Sequence, residues 1–120
     1  MIEIIQGLPK DVAAFNATGK VTAGDYVRII NPLVKQIRQR SGKIKYMLVL
    51  NTSLSNYSTG AWVRDGLLGF RYFTSWSKIA IVAKHERIVK FTNIFGKVLP
   101  AVTRGFLIKD IDIAKRWISG

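Results

Sequence analysis

His85 is the chain's one imidazole, so any Ser-His-Asp constellation has a single base available and a two-histidine metal site has none. His85-Glu86 opens the way a zincin helix does, but the second ligand would fall at position 89, which is Val89. The pair reads instead as polar residues at the start of a helix. Of the seven carboxylates, Asp110 and Asp112 are the closest pair in sequence, and they are explained as first-turn acids that meet the positive end of a helix macrodipole. With no cysteine there is no thiolate nucleophile, disulfide or thiolate zinc site. Neither G-x-x-x-x-G-K-[ST] nor G-x-G-x-x-G occurs, and Gly66-Leu-Leu-Gly69 falls within an expected helix, where it permits close packing. No catalytic residue, cofactor-binding residue or metal ligand is assigned. The expectation is a protein that is not an enzyme and carries no cofactor.

Other side chains could bind rather than react. Ser58 and Thr59 stand where a helix begins, and their hydroxyls suit an N-cap. On the following helix Trp62, Val63, Gly66, Leu67, Phe70 and Phe73 share one side, while Arg64, Leu68, Arg71 and Tyr72 share the other. Leu68 and Tyr72, one turn apart and rimmed by the two arginines, are expected to form a contact with a second subunit or another protein. The aromatics Trp62, Phe70, Phe73, Phe91 and Phe95 would line a pocket for a lipid-like ligand if they were not filling the core; lysines beside the stripe of the later helix would also suit an anionic membrane surface. Nucleic acid would need basic residues interleaved with aromatics, as around Arg64, Arg71 and Tyr72 or Lys84, Arg87 and Lys90. The charge supports such partners in general: 19 Lys and Arg against 7 Asp and Glu give +12. The charges run from Lys10 to Arg116 without a block, however, so no face can be assigned from sequence.

The elements that must position these residues follow from periodicity. Ile2 to Gln6 and Val12 to Thr18 read as a strand pair joined through Gly7-Leu-Pro9-Lys-Asp11. Thr22 with Asp25 approximates a capping box opening a helix from about Ala23 to Arg40, whose stripe is Val27, Ile30, Val34 and Ile37. Pro32 removes a hydrogen bond to the carbonyl of Arg28 and predicts a kink near Asn31. Ile44 to Leu50 and Ile79 to Ala83 read as buried parallel strands. Between them lies the helix to about Phe73. A third helix runs from about His85 to Leu99 with the stripe Ile88, Phe91, Ile94, Phe95 and Val98, and Pro100 stops it. Arg104 to Ile108 forms a last strand and Asp110 to Ile118 a last helix with Lys115 and Arg116 in its final turn. The order β-β-α-β-α-β-α-β-α predicts an α/β domain with a mostly parallel five-stranded sheet and one antiparallel edge hairpin, spanning residues 1–120 as a single unit with one core.

Composition agrees. At 48% apolar and 22% charged residues the 120-residue chain has an ordinary globular balance. No uncharged apolar run approaches the ~18 residues of a membrane span, and the start, Met1-Ile-Glu3, lacks the basic opening of a secretory signal. A cytoplasmic location is expected.

Four segments, in this order and spacing, carry a family resemblance: Met1-Ile-Glu-Ile-Ile-Gln-Gly-Leu-Pro9, Gly19-Lys-Val-Thr22 at the first helix, Gly42-Lys-Ile44 before the third strand, and Ala114-Lys-Arg-Trp117-Ile. The chain resembles the SpoIIAA-like family, whose fold is shared with STAS and CRAL-TRIO domains. The resemblance implies a STAS-like sheet covered by helices, no cofactor, frequent self-association, and action as a binding or regulatory module on protein partners. In the STAS regulators a serine opening the second helix is phosphorylated, and that loop meets a partner kinase. Here the matching region is Asn51 to Gly60, so Ser58 and Thr59 are the corresponding positions; the acidic residue that usually precedes the serine is missing.

Overall fold

The computed structural model describes residues 1–53, 58, 60, 75–98 and 101–120, apart from the side chains of Phe91, Phe95 and Val98. Its centre is one five-stranded sheet in the order β1 (Ile2–Ile4), β2 (Val12–Thr18), β3 (Ile44–Asn51), β4 (Trp76–Ala83), β5 (Val102–Leu107). β1 runs antiparallel to β2 and the other pairs are parallel, which is the expected mixed α/β sheet with its antiparallel edge. β1 is shorter than the apolar run suggested. It stops at Ile4, although Ile5 still donates its N–H to Ala14 at 2.9 Å.

Every parallel connection steps one strand further in the same direction. Right-handed crossovers of that kind put their helices on one face. Accordingly Ile30, Val34 and Ile37 pack with Phe15, Tyr46, Leu48 and Trp76 on the first face, and Ile88 from the later helix joins them there. The second face, with Ala14, Met47, Val49, Ala80, Val82 and Phe106, is covered by Ala114 and Ile118 of the last helix. The single expected core is therefore two apolar layers, because the alternating side chains of a buried sheet point both ways.

The first connection begins as α1 (Ala23–Asp25), passes through a π-helical turn (Tyr26–Ile30) and continues as α2 (Asn31–Ser41). The expected capping box is present: Asp25 N–H donates to Thr22 Oγ1 and Thr22 N–H to Asp25 Oδ2 at 2.9 Å. The π turn, closed by Asn31 N–H donating to Tyr26 O, is how the chain accommodates Pro32, which has no N–H for the carbonyl of Arg28. The wider turn also moves the buried stripe back by one residue. Tyr26 is fully buried in place of Val27, which is 48% exposed, a correction to the α-periodic reading. Gly42, at φ +75°, ends α2 in the left-handed conformation.

β4 begins at Trp76, earlier than the apolar run Ile79–Ala83 indicated. Ile44 faces Trp76 and Lys45 faces Lys78, so Ser77 is an extra residue that turns Trp76 onto the first face. There it stacks edge-on against Tyr46 at 5.6 Å, and Tyr46 in turn meets Phe15 at 5.8 Å. α3 (Glu86–Phe95) ends in a 3-10 turn (Gly96–Val98), and α4 (Ile111–Ser119) follows a 3-10 turn (Ile108–Asp110) after β5. α3 lies directly on β5. A Cβ on Gly105 would come within 2.8 Å of the Val89 carbonyl oxygen, and one on Gly96 within 2.6 Å of Thr103 Cβ. Ile94, assigned to the α3 stripe by periodicity, is instead 65% exposed.

Candidate functional site

In an open parallel sheet the strands' carboxyl ends and the loops that follow them form the usual binding edge. Here β2 and β3 end side by side, with Thr18 opposite Asn51. Asn51 donates from Nδ2 to Asn16 Oδ1 at 2.7 Å, a partly buried pair that fixes the two strand ends. Thr52 Oγ1 donates to the carbonyl of Gly19 at 2.8 Å, so the start of the loop after β3 is tied to the turn that leads into α1. Ser58 N–H donates to the carbonyl of Val21 at 2.9 Å. At Gly60 a Cβ would lie 3.0 Å from Ala23 Cβ, so a bare backbone lets the chain pass close over α1. Ser58 itself is exposed. The edge is thus built by strand ends, a capped helix start and the chain tied down at Thr52 and Ser58.

His85 is also at this end. It is the N-cap residue of α3, just ahead of the first turn, with its carbonyl accepting from Ile88 N–H at 3.1 Å and its side chain making no capping bond. Glu86 occupies the first turn, and Asp112 the first turn of α4, as the macrodipole favours. Among the described residues no group of His, Asp and Glu could hold a metal ion. Lys84 and Arg87 are exposed near His85, and Lys90 is exposed further along α3.

The other residues singled out by sequence lie outside the described residues: Arg64, Leu68, Arg71 and Tyr72 of the expected contact, Thr59 beside Ser58, and Trp62, Phe70 and Phe73 of the expected apolar pocket. Phe91 and Phe95 stand on α3, with their side chains undescribed.

Sequence reasoning missed the opposite end, where the parallel strands begin and the helices finish. Lys45 and Lys78 face each other on adjacent strands, on the second face. Lys45 donates from Nζ to the Gly120 carbonyl at 3.1 Å and pairs with Asp11 at 3.3 Å. Lys78 Nζ donates to the Trp117 carbonyl at 3.0 Å while lying 5.1 Å from that ring's centroid. Arg104 stacks 4.8 Å over Phe106 and 5.9 Å from Trp117, and the two rings meet at 5.7 Å. Two like charges opposite one another would repel; both instead meet the negative end of α4. The available signal was two lone lysines near the starts of otherwise apolar strands, Ile44-Lys-Tyr46 and Trp76-Ser-Lys78.

A mostly parallel sheet, with Thr52 and Ser58 tied down at its carboxyl edge, defines a class: an α/β module that supports binding or regulation. No helix among the described residues is long and apolar enough to cross a membrane. The chain belongs to the SpoIIAA-like family, whose family model matches residues 12–119. A similar solved structure is the crystal structure of an uncharacterized protein of the DUF3478 family with a SpoIIAA-like fold from Shewanella loihica PV-4. It is 24% identical, with 98% of this chain and 93% of that chain covered and a TM-score of 0.75, which shows the shared fold. No curated protein matches the chain.

Proposed function

We propose that the protein is a non-enzymatic cytoplasmic binding module, one domain over residues 1–120, that acts through protein–protein contacts including self-association. The observation that carries this reading is the carboxyl edge. Asn51, Thr52 and Ser58 are each bonded back to β2 or to the turn before α1, so these three residues are held in place before any partner arrives. Preorganisation of that kind lowers the ordering cost of association. A phosphoryl group on Ser58 would change the charge of the same edge and so regulate it, with Thr59 the neighbouring candidate by sequence.

The self-association contact is assigned to Arg64, Leu68, Arg71 and Tyr72 on sequence pattern. Light scattering after size exclusion tests it. The wild-type chain is expected to have the mass of a dimer, and the double variant Leu68→Glu, Tyr72→Glu that of a monomer with an unchanged far-UV circular dichroism spectrum. A wild-type monomer at every concentration removes self-association, and a variant that stays dimeric removes these residues from the contact.

A further inference from the structure

The basic excess, dispersed in sequence, is gathered in space. Because β2 to β5 are parallel and the described helices run back against them, the starts of these four strands and the ends of α2, α3 and α4 meet at one pole. Hydrogen bonds confirm the convergence: Arg38 Nε donates to Ser75 Oγ at 2.7 Å, Arg40 to the Lys10 carbonyl at 2.7 Å, and Ile44 N–H to the Ser75 carbonyl at 2.9 Å. α2 brings Arg38 and Arg40 there, the turn after it Lys43, and the strands Lys45, Lys78 and Arg104. Lys10 precedes β2, Lys97 sits in the turn after α3, and Arg116 is in the last turn of α4. Asp11 is the one acid at this pole among the described residues, and it is paired with Lys45. The acids Asp25, Glu86, Asp110 and Asp112 stand at helix starts, at the opposite pole.

Two further residues decide what such a pole would meet. Among the described residues, Ile94 and Val102, 65% and 62% exposed, are the two most exposed large apolar side chains. They stand at the end of α3 and the start of β5, at the basic pole and on either side of Lys97 in the chain. The half-buried ring of Trp117 is already engaged by Phe106, Lys78 and Arg104 within the fold, which does not favour it as a stacking platform for a nucleobase. Basic charge beside protruding aliphatic side chains fits an anionic phospholipid surface, where each Lys or Arg adds attraction and the apolar tips enter the headgroup layer.

We propose that the pole formed by the strand starts and helix ends docks on anionic lipid bilayers, with Ile94 and Val102 inserting and Lys10, Lys43, Lys97 and Arg116 facing the headgroups. This surface is opposite the carboxyl edge and stands independently of the reading given for that edge.

Vesicle co-sedimentation of the full chain tests it, using phosphatidylcholine vesicles with and without ~30% phosphatidylserine. Binding is expected only with phosphatidylserine and is expected to weaken with added salt. Lys43→Glu with Lys97→Glu should reduce partitioning at least about tenfold. Lys20→Glu with Lys84→Glu, the same charge change at the other pole, should reduce it by less than about threefold. Ile94→Ser with Val102→Ser should also reduce it, at unchanged net charge. Equal losses from the two lysine pairs would overturn the proposal, since net charge alone would then be read. An unaffected apolar double variant would overturn it too, as would a wild-type chain that ignores vesicles but binds single-stranded RNA through the same pole.

Discussion

Replacing Gly105 with alanine isolates the contact that seats α3 on the sheet. The new Cβ would lie 2.8 Å from the carbonyl oxygen and 2.9 Å from the Cα of Val89, and 3.2 Å from Thr92 Cβ. Comfortable heavy-atom separations are about 3.5–4.0 Å, so the overlap is several tenths of an ångström against backbone, which has no rotamer to escape into. α3 must lift, which also loosens the bond of 2.9 Å from Gly105 N–H to Asn93 Oδ1. Overpacking of this kind costs about 1–3 kcal/mol, while the stiffer unfolded chain returns about 0.4–1 kcal/mol. The net loss is about 1–2 kcal/mol, or a fall in Tm of roughly 3–10 °C for a domain of this size. Gly24→Ala provides the comparison. Its Cβ would come as close, 2.9 Å, but to the Arg28 guanidinium, the far end of a flexible and exposed side chain. Because α1 also gains a better helix former, this variant should melt at or up to a few degrees above wild type. Thermal melts by circular dichroism read both variants. If Gly105→Ala melts no lower than Gly24→Ala, the close seating of α3 on β5 is wrong.

Thr22→Ala removes the side-chain half of the capping box and should cost about 1 kcal/mol, seen as a lower urea midpoint with an unchanged slope. Gly42→Ala places a Cβ at φ +75° where no neighbour lies within 4 Å, so strain alone should cost about 1 kcal/mol, and Gly42→Asn should cost less. Trp117→Ala removes the ring that Lys78 and Arg104 approach and part of the cover over Phe106. A loss of about 2–3 kcal/mol is expected from denaturant unfolding, and one below about 0.5 kcal/mol would show that the last helix does not anchor the second face.

The strands were legible because β2, β3 and β4 are apolar on both faces, and the start of α1 with its cap was written in Thr22 and Asp25. What escaped was set by geometry that a fixed period does not carry. Pro32 signalled a disturbance, but not that a π turn would replace Val27 by Tyr26 in the core. The bulge at Ser77 has no composition of its own, so the strand read as Ile79 to Ala83 and Trp76 fell outside it. At the carboxyl edge, Ser58 was found as a hydroxyl at a helix start; its backbone tie to Val21 joins positions far apart in sequence and needed the fold to appear.

The polarity of charge follows from the same topology. Each helix places acids in its first turn or bases in its last, a local preference worth only tenths of a kcal/mol per residue. In a bundle of alternating direction those preferences would cancel across the molecule. Here every helix from α1 to α4 runs from the carboxyl pole to the amino pole, since each returns from the end of one strand to the start of the next or, for α4, back along the sheet to Lys45 and Lys78. Local helix electrostatics therefore add into a molecular dipole, and a chain of +12 gathers its positive end at the pole where Asp11 is the one acid among the described residues. If the sheet were antiparallel throughout, the same sequence composition would give no such pole. The lysine pairs exchanged at the two ends are thus a test of topology as much as of binding.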